Sequence, residues 1–333
     1  GVAGVTWPEC LYVLVSDDKK SWTYLGDLCE LGTVIRPPPE KGYALFRYTA
    51  DTLKGRGRYV CVVAAAQPFC FVDEVEVLRG EDVWLQGEMP GVRTDDLEKF
   101  YAASCIRSGM AWRMRADAKV VLEQANALGP AVYAELKPAM EAAEGLIPAC
   151  VEKADGSLQT VLPFPRSPHE TILALHARVL CAAGVKAPLV WQSNRWNPLA
   201  LTELPPADAG KDEIGLDLMR GEVRGETFNL TNPSEGVLEV ELTLGRMPQA
   251  ANVELREVLV TDTKSRVPVA TALRPLAFDE RRGAFRMSVP GGCTRQVWVS
   301  CRRPTCAAGV YKGELRLASK DGRFGKRLAL TLR

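Results

Sequence analysis

Short apolar runs separated by turn residues occupy the two ends of the chain, and helical periodicity occupies its middle. Residues 11–25 contain two apolar runs on either side of a polar Ser-Asp-Asp-Lys-Lys turn, which predicts an antiparallel hairpin. Residues 58–66 and 69–78 predict two more strands joined at a Gln-Pro turn. We therefore expect residues 11–78 to be mainly strand.

The middle of the chain predicts helices. Thr94 is a favourable N-cap, Asp95 and Asp96 suit the positive end of a helix, and apolar residues then recur at helical spacing. Breaks at Gly129-Pro130 and at Gly184 end helical segments. The region 94–184 is therefore expected to be mainly helical.

The C-terminal part returns to strand patterns after a short strand at residues 189–191 and a Pro- and Gly-containing linker at 205–210. Seven short runs with turn signals between them are typical of an immunoglobulin-type sandwich. The runs cover residues 225–230, 236–244, 253–261, 284–289, 296–301, 313–318 and 327–332.

Composition narrows the class of protein. A length of 333 residues favours two or three domains, with 47% hydrophobic and 25% charged residues as in globular proteins. A net charge of +1 provides no overall field for nucleic acid, so no nucleic-acid partner is expected. No apolar run reaches the roughly 18 residues that would span a bilayer.

The cysteines do not indicate a metal site. Ten cysteines are present without a Cys-x-x-Cys pair and with two histidines, so we predict no metal ion and no cofactor. Cys61, Cys70 and Cys301 lie in apolar runs, where a thiol behaves as a small buried hydrophobe. Disulfides Cys10–Cys29 and Cys301–Cys306 are the alternative.

The N-terminal motifs resemble a known family. A strand ending in Ser-Asp-Asp-Lys-Lys-Ser-Trp at residues 16–22, an Arg-Tyr-Val at 58–60, and an acidic-apolar run at 71–77 occur in family order. They resemble the discoidin or coagulation-factor C-terminal type of galactose-binding-like β-sandwich. Such domains are longer than the stretch available here, so the resemblance implies that part of the module lies before Gly1. Because family ligand loops fall partly in that part, no binding residue is transferred.

The C-terminal motifs resemble a second group. Phe228-Asn229-Leu230-Thr231-Asn232, a Trp within the strand at 296–301 and the Gly-Val-Tyr-Lys-Gly turn at 309–313 are similar to accessory sandwiches that precede catalytic domains in bacterial polysaccharide-active enzymes. The resemblance implies an extracellular or periplasmic location and a catalytic domain after Arg333.

The predicted fold class is multidomain and mainly β with a helical middle. The expected domains are a galactose-binding-like sandwich at 1–86, incomplete at its N-terminus, a helical spacer at 87–204 and an immunoglobulin-like sandwich at 211–333.

Acidic and imidazole groups offer weak catalytic candidates. Glu74 and Glu76 would lie on one face of the predicted strand, about 7 Å apart, which is in the range of an inverting carboxylate pair. A solvated strand face is the simpler interpretation. His169 and His176 are seven residues apart, which is not zinc-protease spacing, and we expect the first to be exposed and the second partly buried. No catalytic residue is assigned.

Two tryptophans beside polar residues form the best candidate binding site. Trp191, Asn194, Arg195 and Trp196 lie within six residues at the end of a predicted strand. Aromatic faces flanked by planar hydrogen-bonding groups suit sugar rings, so these four residues are the predicted glycan contact. The alternative is that both indoles seal the helical region against a sandwich.

Three functions follow from these patterns. The first is a non-catalytic accessory region of a secreted polysaccharide-active protein, which binds or orients polysaccharide for a catalytic domain outside this chain. The second is a glycoside hydrolase-like enzyme with a site between the helices and the sandwiches that uses Asp73, Glu74 or Glu76. The third is a structural or adhesive protein without affinity for glycans. Fold alone does not separate them.

Overall fold

The computed structural model describes residues 5–33, 38–39, 44–65, 69–152, 162–165, 167–197, 199–246, 252–263, 266–302 and 307–333. It falls into two units, residues 1–105 and 106–333. The described chain is mainly β with a helical middle, which confirms the predicted fold class. The three-domain boundaries at 86 and 204–211 stay a prediction.

The first unit is built on an antiparallel sheet in the order β3-β1-β2-β4. Its strands are β1 (Cys10–Ser16), β2 (Trp22–Asp27), β3 (Tyr59–Ala65) and β4 (Val92–Thr94), with a short helix α1 (Leu28–Thr33) and a 3-10 helix at Asp82–Leu85. The β1–β2 pairing confirms the predicted hairpin. Alternate residues Cys10, Tyr12 and Leu14 of β1 point into a small core with Trp22. Phe100, from the beginning of the long helix described below, packs against Tyr12.

The strand predicted at residues 69–78 is wrong. Phe69 forms an isolated bridge with Val5, and the segment from residue 70 to residue 80 has no regular structure. Phe71 is 83% exposed and Leu78 is 86% exposed. A segment with high strand propensity forms a strand only when a neighbouring strand pairs with its backbone through hydrogen bonds and other residues cover its side chains. No strand of the described residues lies beside this segment.

Four helices form the middle of the chain, which confirms the helical prediction. They are α2 (Leu97–Leu128), α3 (Pro130–Gly145), α4 (Ile147–Glu152) and α5 (His169–Ala182). Gly129 has a positive φ of 140°, which L residues rarely adopt, and it separates α2 from α3. From residue 106 onward, α2 buries one face through Met110, Met114, Val121 and Ala125, which recur at helical spacing.

Two sheets face each other across one core in the second unit. The five-stranded sheet has the order β10-β9-β13-β7-β5, and the six-stranded sheet has the order β11-β12-β8-β14-β15-β6. All neighbours are antiparallel except β15 and β6. The strands are β5 (Leu189–Trp191), β6 (Glu213–Leu216), β7 (Val223–Thr231), β8 (Leu238–Gly245), β9 (Asn252–Asp262), β10 (Pro268–Pro275), β11 (Ala277–Asp279), β12 (Ala284–Val289), β13 (Thr294–Arg302), β14 (Tyr311–Ser319) and β15 (Gly325–Leu332).

All seven predicted sandwich strands are confirmed, and three were missed. β10 lies at the edge of its sheet and is mostly exposed, so its sequence shows no alternation of apolar and polar residues. It also has a proline at each end, which is unfavourable in a central strand. β11 is three residues long, and β6 follows the predicted linker. Short edge strands leave weak sequence signals because they bury few side chains.

Three of the cysteines that the structure describes are buried, Cys10, Cys293 and Cys301. Cys10 is a free thiol rather than half of a Cys10–Cys29 disulfide, and burial raises the pKa of this thiol to about 11. The Cys29 thiol points to the carbonyl of Pro8 at 3.5 Å. Cys301 is buried in the sandwich core as predicted, and Cys306 lies outside the described residues.

A buried charge cluster joins helix α2 to strand β9 within the second unit. Arg113 donates to both carboxylate oxygens of Asp262 at 2.9 and 2.7 Å, and its Nη1 donates to Asp117 at 2.9 Å. The Arg113 and Asp117 side chains are 11% and 5% exposed. One guanidinium therefore neutralises two carboxylates that are largely removed from water, in the bidentate geometry that favours arginine.

We predict that Arg113→Leu lowers the free energy of unfolding by about 3–5 kcal/mol, because it leaves two buried carboxylates without their cation. Arg178→Leu is the matched control. Arg178 also contacts two carboxylates, Glu135 and Glu235, but it is 45% exposed, so we expect a change of about 0–1 kcal/mol. Urea unfolding followed by helical circular dichroism measures both. Equal effects of the two substitutions would contradict the role given to burial.

Candidate functional site

The four predicted site residues lie at the end of β5 and in the loop that follows. Val190 of β5 points into the sandwich core, so Trp191 points to the other face of the five-stranded sheet. The structure separates the two indoles. Trp191 is 2% exposed, whereas Trp196 is 72% exposed.

Trp191 is fixed by hydrogen bonds inside the protein. Its Nε1–H donates to the Thr231 hydroxyl at 2.8 Å, and that hydroxyl is 2.7 Å from the hydroxyl of Thr294. Both threonines are buried. The Trp191 indole is therefore buried inside the second unit and does not form part of its surface.

The start of the loop is anchored to the same sheet face. The Asn229 side-chain amide donates to the Ser193 hydroxyl at 3.0 Å, and Gln296 donates to the Asn229 side-chain oxygen at 3.0 Å. Asn229 is fully buried. Asn229 is thus satisfied by β13 and by the loop, which fixes where the loop begins, whereas the buried Thr227 hydroxyl on the same face has no partner among the described residues.

The next residues form a turn that carries Trp196 outward. The side-chain oxygen of Asn194 accepts from the backbone N–H of Trp196 at 3.0 Å, and its carbonyl accepts from the N–H of Asn197 at 3.0 Å. Arg195 donates to Glu226 at 2.7 Å, and its guanidinium lies 5.5 Å from the centre of the Trp196 ring. Asn194 and Arg195 therefore hold the exposed indole in place.

Trp298 completes this surface and was missed as a site residue. It lies on β13, and its ring centre is 5.6 Å from that of Trp196, at an interplanar angle of 60°. The ring covers Gly225 of β7, where an added Cβ would lie 2.2 Å from the Trp298 Nε1. A glycine within a strand marks such close approaches, so Gly225 was the available signal. We call Arg195, Trp196, Glu226 and Trp298 the two-tryptophan surface.

The acidic candidates are not brought together. Glu74 and Glu76 lie in the exposed segment that forms no strand, so the alternation that would have paired them is absent. Glu76 makes an exposed ion pair with Arg47 at 3.7 Å. Asp73 is likewise exposed.

Both histidines are fully buried, so the predicted exposure of His169 and partial exposure of His176 are wrong. The His169 Nδ1 accepts from the backbone N–H of Phe164 at 3.1 Å, which leaves Nε2–H to donate to Asp117 at 2.9 Å. His176 Nδ1 lies 2.5 Å from the carbonyl of Gly292. The sequence interpretation failed because a first-turn position is exposed only when nothing packs over it.

Other surface features offer less. Within the described ranges, no group of three or more His, Cys, Asp or Glu side chains is placed to hold a metal ion. Among the same residues, no helix has both the length and the apolar character needed to cross a bilayer. An open groove of about 360 Å³ borders the β11–β12 hairpin, where Asp279 already pairs with Arg286.

Comparisons with known proteins give only distant likenesses to solved structures. No protein-family model and no curated protein matches the chain. One similar solved structure is a family 123 glycoside hydrolase from Clostridium perfringens, with a TM-score of 0.33, 7% identity, and coverage of 44% of this chain and 27% of that one. Another is the C-terminal domain of the Streptococcus agalactiae AgI/II polypeptide BspA, with a TM-score of 0.23, 8% identity, and coverage of 44% and 49%. Likenesses this low say nothing about what this chain binds or does.

We predict that Gly225→Ala destabilises the second unit by about 1–3 kcal/mol, because the new methyl group occupies the space of the Trp298 ring. Gly245→Ala on β8 is the control, since the nearest heavy atom to its Cβ is a flexible arginine at 3.7 Å. Thermal unfolding and tryptophan fluorescence measure the two effects. A Gly225→Ala variant with unchanged stability and fluorescence would show that the ring does not rest on this glycine.

Burial lowers the pKa of His176 below its usual 6.5, so the folded state holds it neutral. Above about pH 6.5 neither the folded nor the unfolded state binds the proton. Below it, only the unfolded state binds the proton. We therefore predict a loss of stability as pH falls from 7 to 5, by at most about 1.4 kcal/mol per pH unit from this group.

His176→Gln tests this pH dependence, because glutamine retains a donor for Gly292 but does not titrate. Urea unfolding at pH 7, 6 and 5 should give a flatter stability profile for the variant than for the unsubstituted chain. Parallel profiles would contradict the assignment.

Proposed function

We propose that this chain is a non-catalytic accessory region of a secreted polysaccharide-active protein, which binds or orients carbohydrate for a catalytic domain outside the chain. The observation that carries the proposal is the exposed indole of Trp196, 72% accessible yet held by neighbours on both sides. Exposed single apolar residues are common, but an exposed tryptophan fixed by a turn and an ion pair is a built feature.

The chemistry of the surface suits a sugar ring. Its C–H faces stack on an aromatic plane, and its hydroxyls need donors and acceptors at the ring edge. The Arg195–Glu226 pair provides N–H donors and carboxylate lone pairs beside the Trp196 ring. Trp298 adds a second aromatic face, tilted by 60° to the first. The surface thus combines stacking with adjacent hydrogen bonding.

Fixed geometry favours affinity. A side chain that is already ordered before binding loses less conformational entropy when a ligand stacks on it. Asn194 fixes the backbone at Trp196, and Arg195 covers part of its ring. The buried Trp191 contributes by anchoring β5, from which the loop departs.

Binding is favoured over hydrolysis because the carboxylates near the two-tryptophan surface are paired with arginines. Glycoside hydrolysis needs one carboxylic acid as proton donor and a second carboxylate as base or nucleophile. Glu226 is bound to Arg195 at 2.7 Å, and Glu254 is bound at 2.8 Å to Arg256, which lies opposite Trp298 in the β13–β9 ladder. Neither is left over as a proton donor.

The proposal includes a galactose-binding-like character for the first unit and an extracellular or periplasmic location. The first is supported by the N-terminal resemblance, through the motifs at residues 16–22 and 58–60, which lie at the β1–β2 turn and at the start of β3. The second is supported by the C-terminal resemblance, through the motifs at residues 228–232 and 309–313. The third motif, at 71–77, forms no strand and gives no support.

We predict that Trp196→Ala weakens the free energy of binding to polysaccharide by about 1–3 kcal/mol, by analogy with the stacking of bases on aromatic side chains, and so reduces retention. The thermal stability of the variant should stay nearly unchanged. The assay is a pull-down of the full chain on a panel of insoluble plant, algal and bacterial polysaccharides. Phe278→Ala is the matched control, because Phe278 is an exposed aromatic (52%) on the other sheet.

Trp191→Ala provides a contrasting variant, since removing a buried tryptophan should cost roughly 3–5 kcal/mol of stability. Retention that is lost with Trp196→Ala and kept with Phe278→Ala supports the proposal. Retention that is equal in wild type and Trp196→Ala, or absent in wild type across the panel, contradicts it.

A further inference from the structure

The charges around the two-tryptophan surface occur as neutral pairs. Arg195 is bound to Glu226 at 2.7 Å, and Arg256 is bound to Glu254 at 2.8 Å through Nη2 and at 3.3 Å through Nε. Arg256 lies directly opposite Trp298 in the β13–β9 ladder, so both side chains emerge on one face of the sheet. Arg195 and Arg256 therefore each have their own carboxylate.

From this pairing we infer that the ligand of the two-tryptophan surface is an uncharged polysaccharide rather than an acidic one. The inference rests on the proposed function. An acidic polymer binds most strongly where arginines have no carboxylate partner, because no nearby negative charge then repels the polymer. Here a polymer carboxylate or sulfate that approached Arg195 or Arg256 would also approach Glu226 or Glu254, and the two interactions would largely offset each other.

The same pairs suit hydroxyl groups. A guanidinium has five N–H donors and a carboxylate has about four acceptor positions, and a bound pair uses only some of them. Glu226 also accepts from the backbone N–H of Thr227 through its other oxygen at 3.0 Å, so this carboxylate is oriented from two sides. Sugar hydroxyls both donate and accept hydrogen bonds. They therefore suit the two arginine–glutamate pairs, which offer donors and acceptors side by side and carry no net charge.

The protein also exerts little long-range electrostatic attraction on an acidic polymer. The whole chain has a net charge of +1, which gives no field to concentrate an anionic polymer at the surface. Binding to an uncharged chain by stacking and neutral hydrogen bonds should also depend little on ionic strength, because no counterions are displaced.

Affinity electrophoresis of the full chain tests the inference with polymers that differ mainly in charge. Hydroxyethyl cellulose is compared with carboxymethyl cellulose, and methyl-esterified pectin with polygalacturonate, alongside neutral galactomannan and arabinoxylan and acidic alginate. We expect retardation by at least one neutral polymer, lost in Trp196→Ala and changed less than twofold between 50 and 500 mM NaCl. The acidic polymers should give no retardation that depends on Trp196.

The outcomes separate the two claims. Trp196-dependent retardation by acidic polymers alone, weakened by salt, would overturn the inference and leave the proposed function standing. No retardation by any polymer would overturn both.

A double substitution tests the role of the pairing itself. Glu226→Gln with Glu254→Gln keeps side-chain shape but leaves Arg195 and Arg256 without their counter-charges. We expect this variant, after thermal unfolding confirms that it folds, to acquire at least a tenfold gain in salt-sensitive affinity for polygalacturonate or alginate. The double substitution Glu239→Gln with Glu241→Gln, on β8 of the other sheet, removes the same number of paired carboxylates, so it is the charge-matched control and should produce no gain. A folded double variant without this gain would contradict the inference.

Discussion

Residues 227–231 of strand β7 are buried on both faces of the sheet, so the elements around them must supply both cover and hydrogen-bond partners. Phe228 and Leu230 point into the sandwich core, while Asn229 and Thr231 point to the opposite face and are also fully buried. Buried polar side chains without partners are costly, so this face needs donors and acceptors as well as cover. The Trp191 indole, the Ser193 hydroxyl and residues of β13 supply them. The loop after β5 begins where this network ends, so Trp191 lies buried within the network and Trp196 lies exposed beyond it.

The helical region of the second unit depends on a comparable arrangement. The Arg113 guanidinium lies between Asp117 on its own helix and Asp262 at the end of β9, and His169 donates to the other oxygen of Asp117. Each carboxylate is thereby both neutralised and hydrogen-bonded, which is the condition under which buried charge is tolerated. Helices α2 and α5 and a sandwich strand are held in register by directional contacts as well as by apolar packing.

The sequence predicted those parts of the fold that leave periodic signals. The seven sandwich strands and the helices bury one face each, and burial produces alternation or helical spacing. Residues 69–78 have the same alternation, from Phe71 to Val77, yet form no strand. The hydrophobic pattern indicates strand propensity, but it does not show whether a neighbouring strand is present to pair with the segment. His169 was misplaced for a related reason, since its burial depends on Asp117, 52 residues earlier in the chain.

Half of the candidate site could be read from local sequence. Trp196 with Asn194 and Arg195 is a contiguous cluster, and the structure keeps these three together at the surface. Trp298 and Glu226 join them only through the pairing of β7 with β13, where Thr227 lies opposite Trp298. Sequence also gave no means of telling the two indoles of the cluster apart, because which one is buried is decided by the distant acceptor Thr231.

The most direct test follows the indole N–H resonances of the seven tryptophans in ¹⁵N-labelled protein while a retained, soluble glycan is added. Substitution of each residue by Phe assigns the signals. The account predicts that the resonances of Trp196 and Trp298 shift in a saturable manner and that the resonance of Trp191, bonded to Thr231, stays in place. Saturable shifts elsewhere with Trp196 and Trp298 unmoved would contradict it.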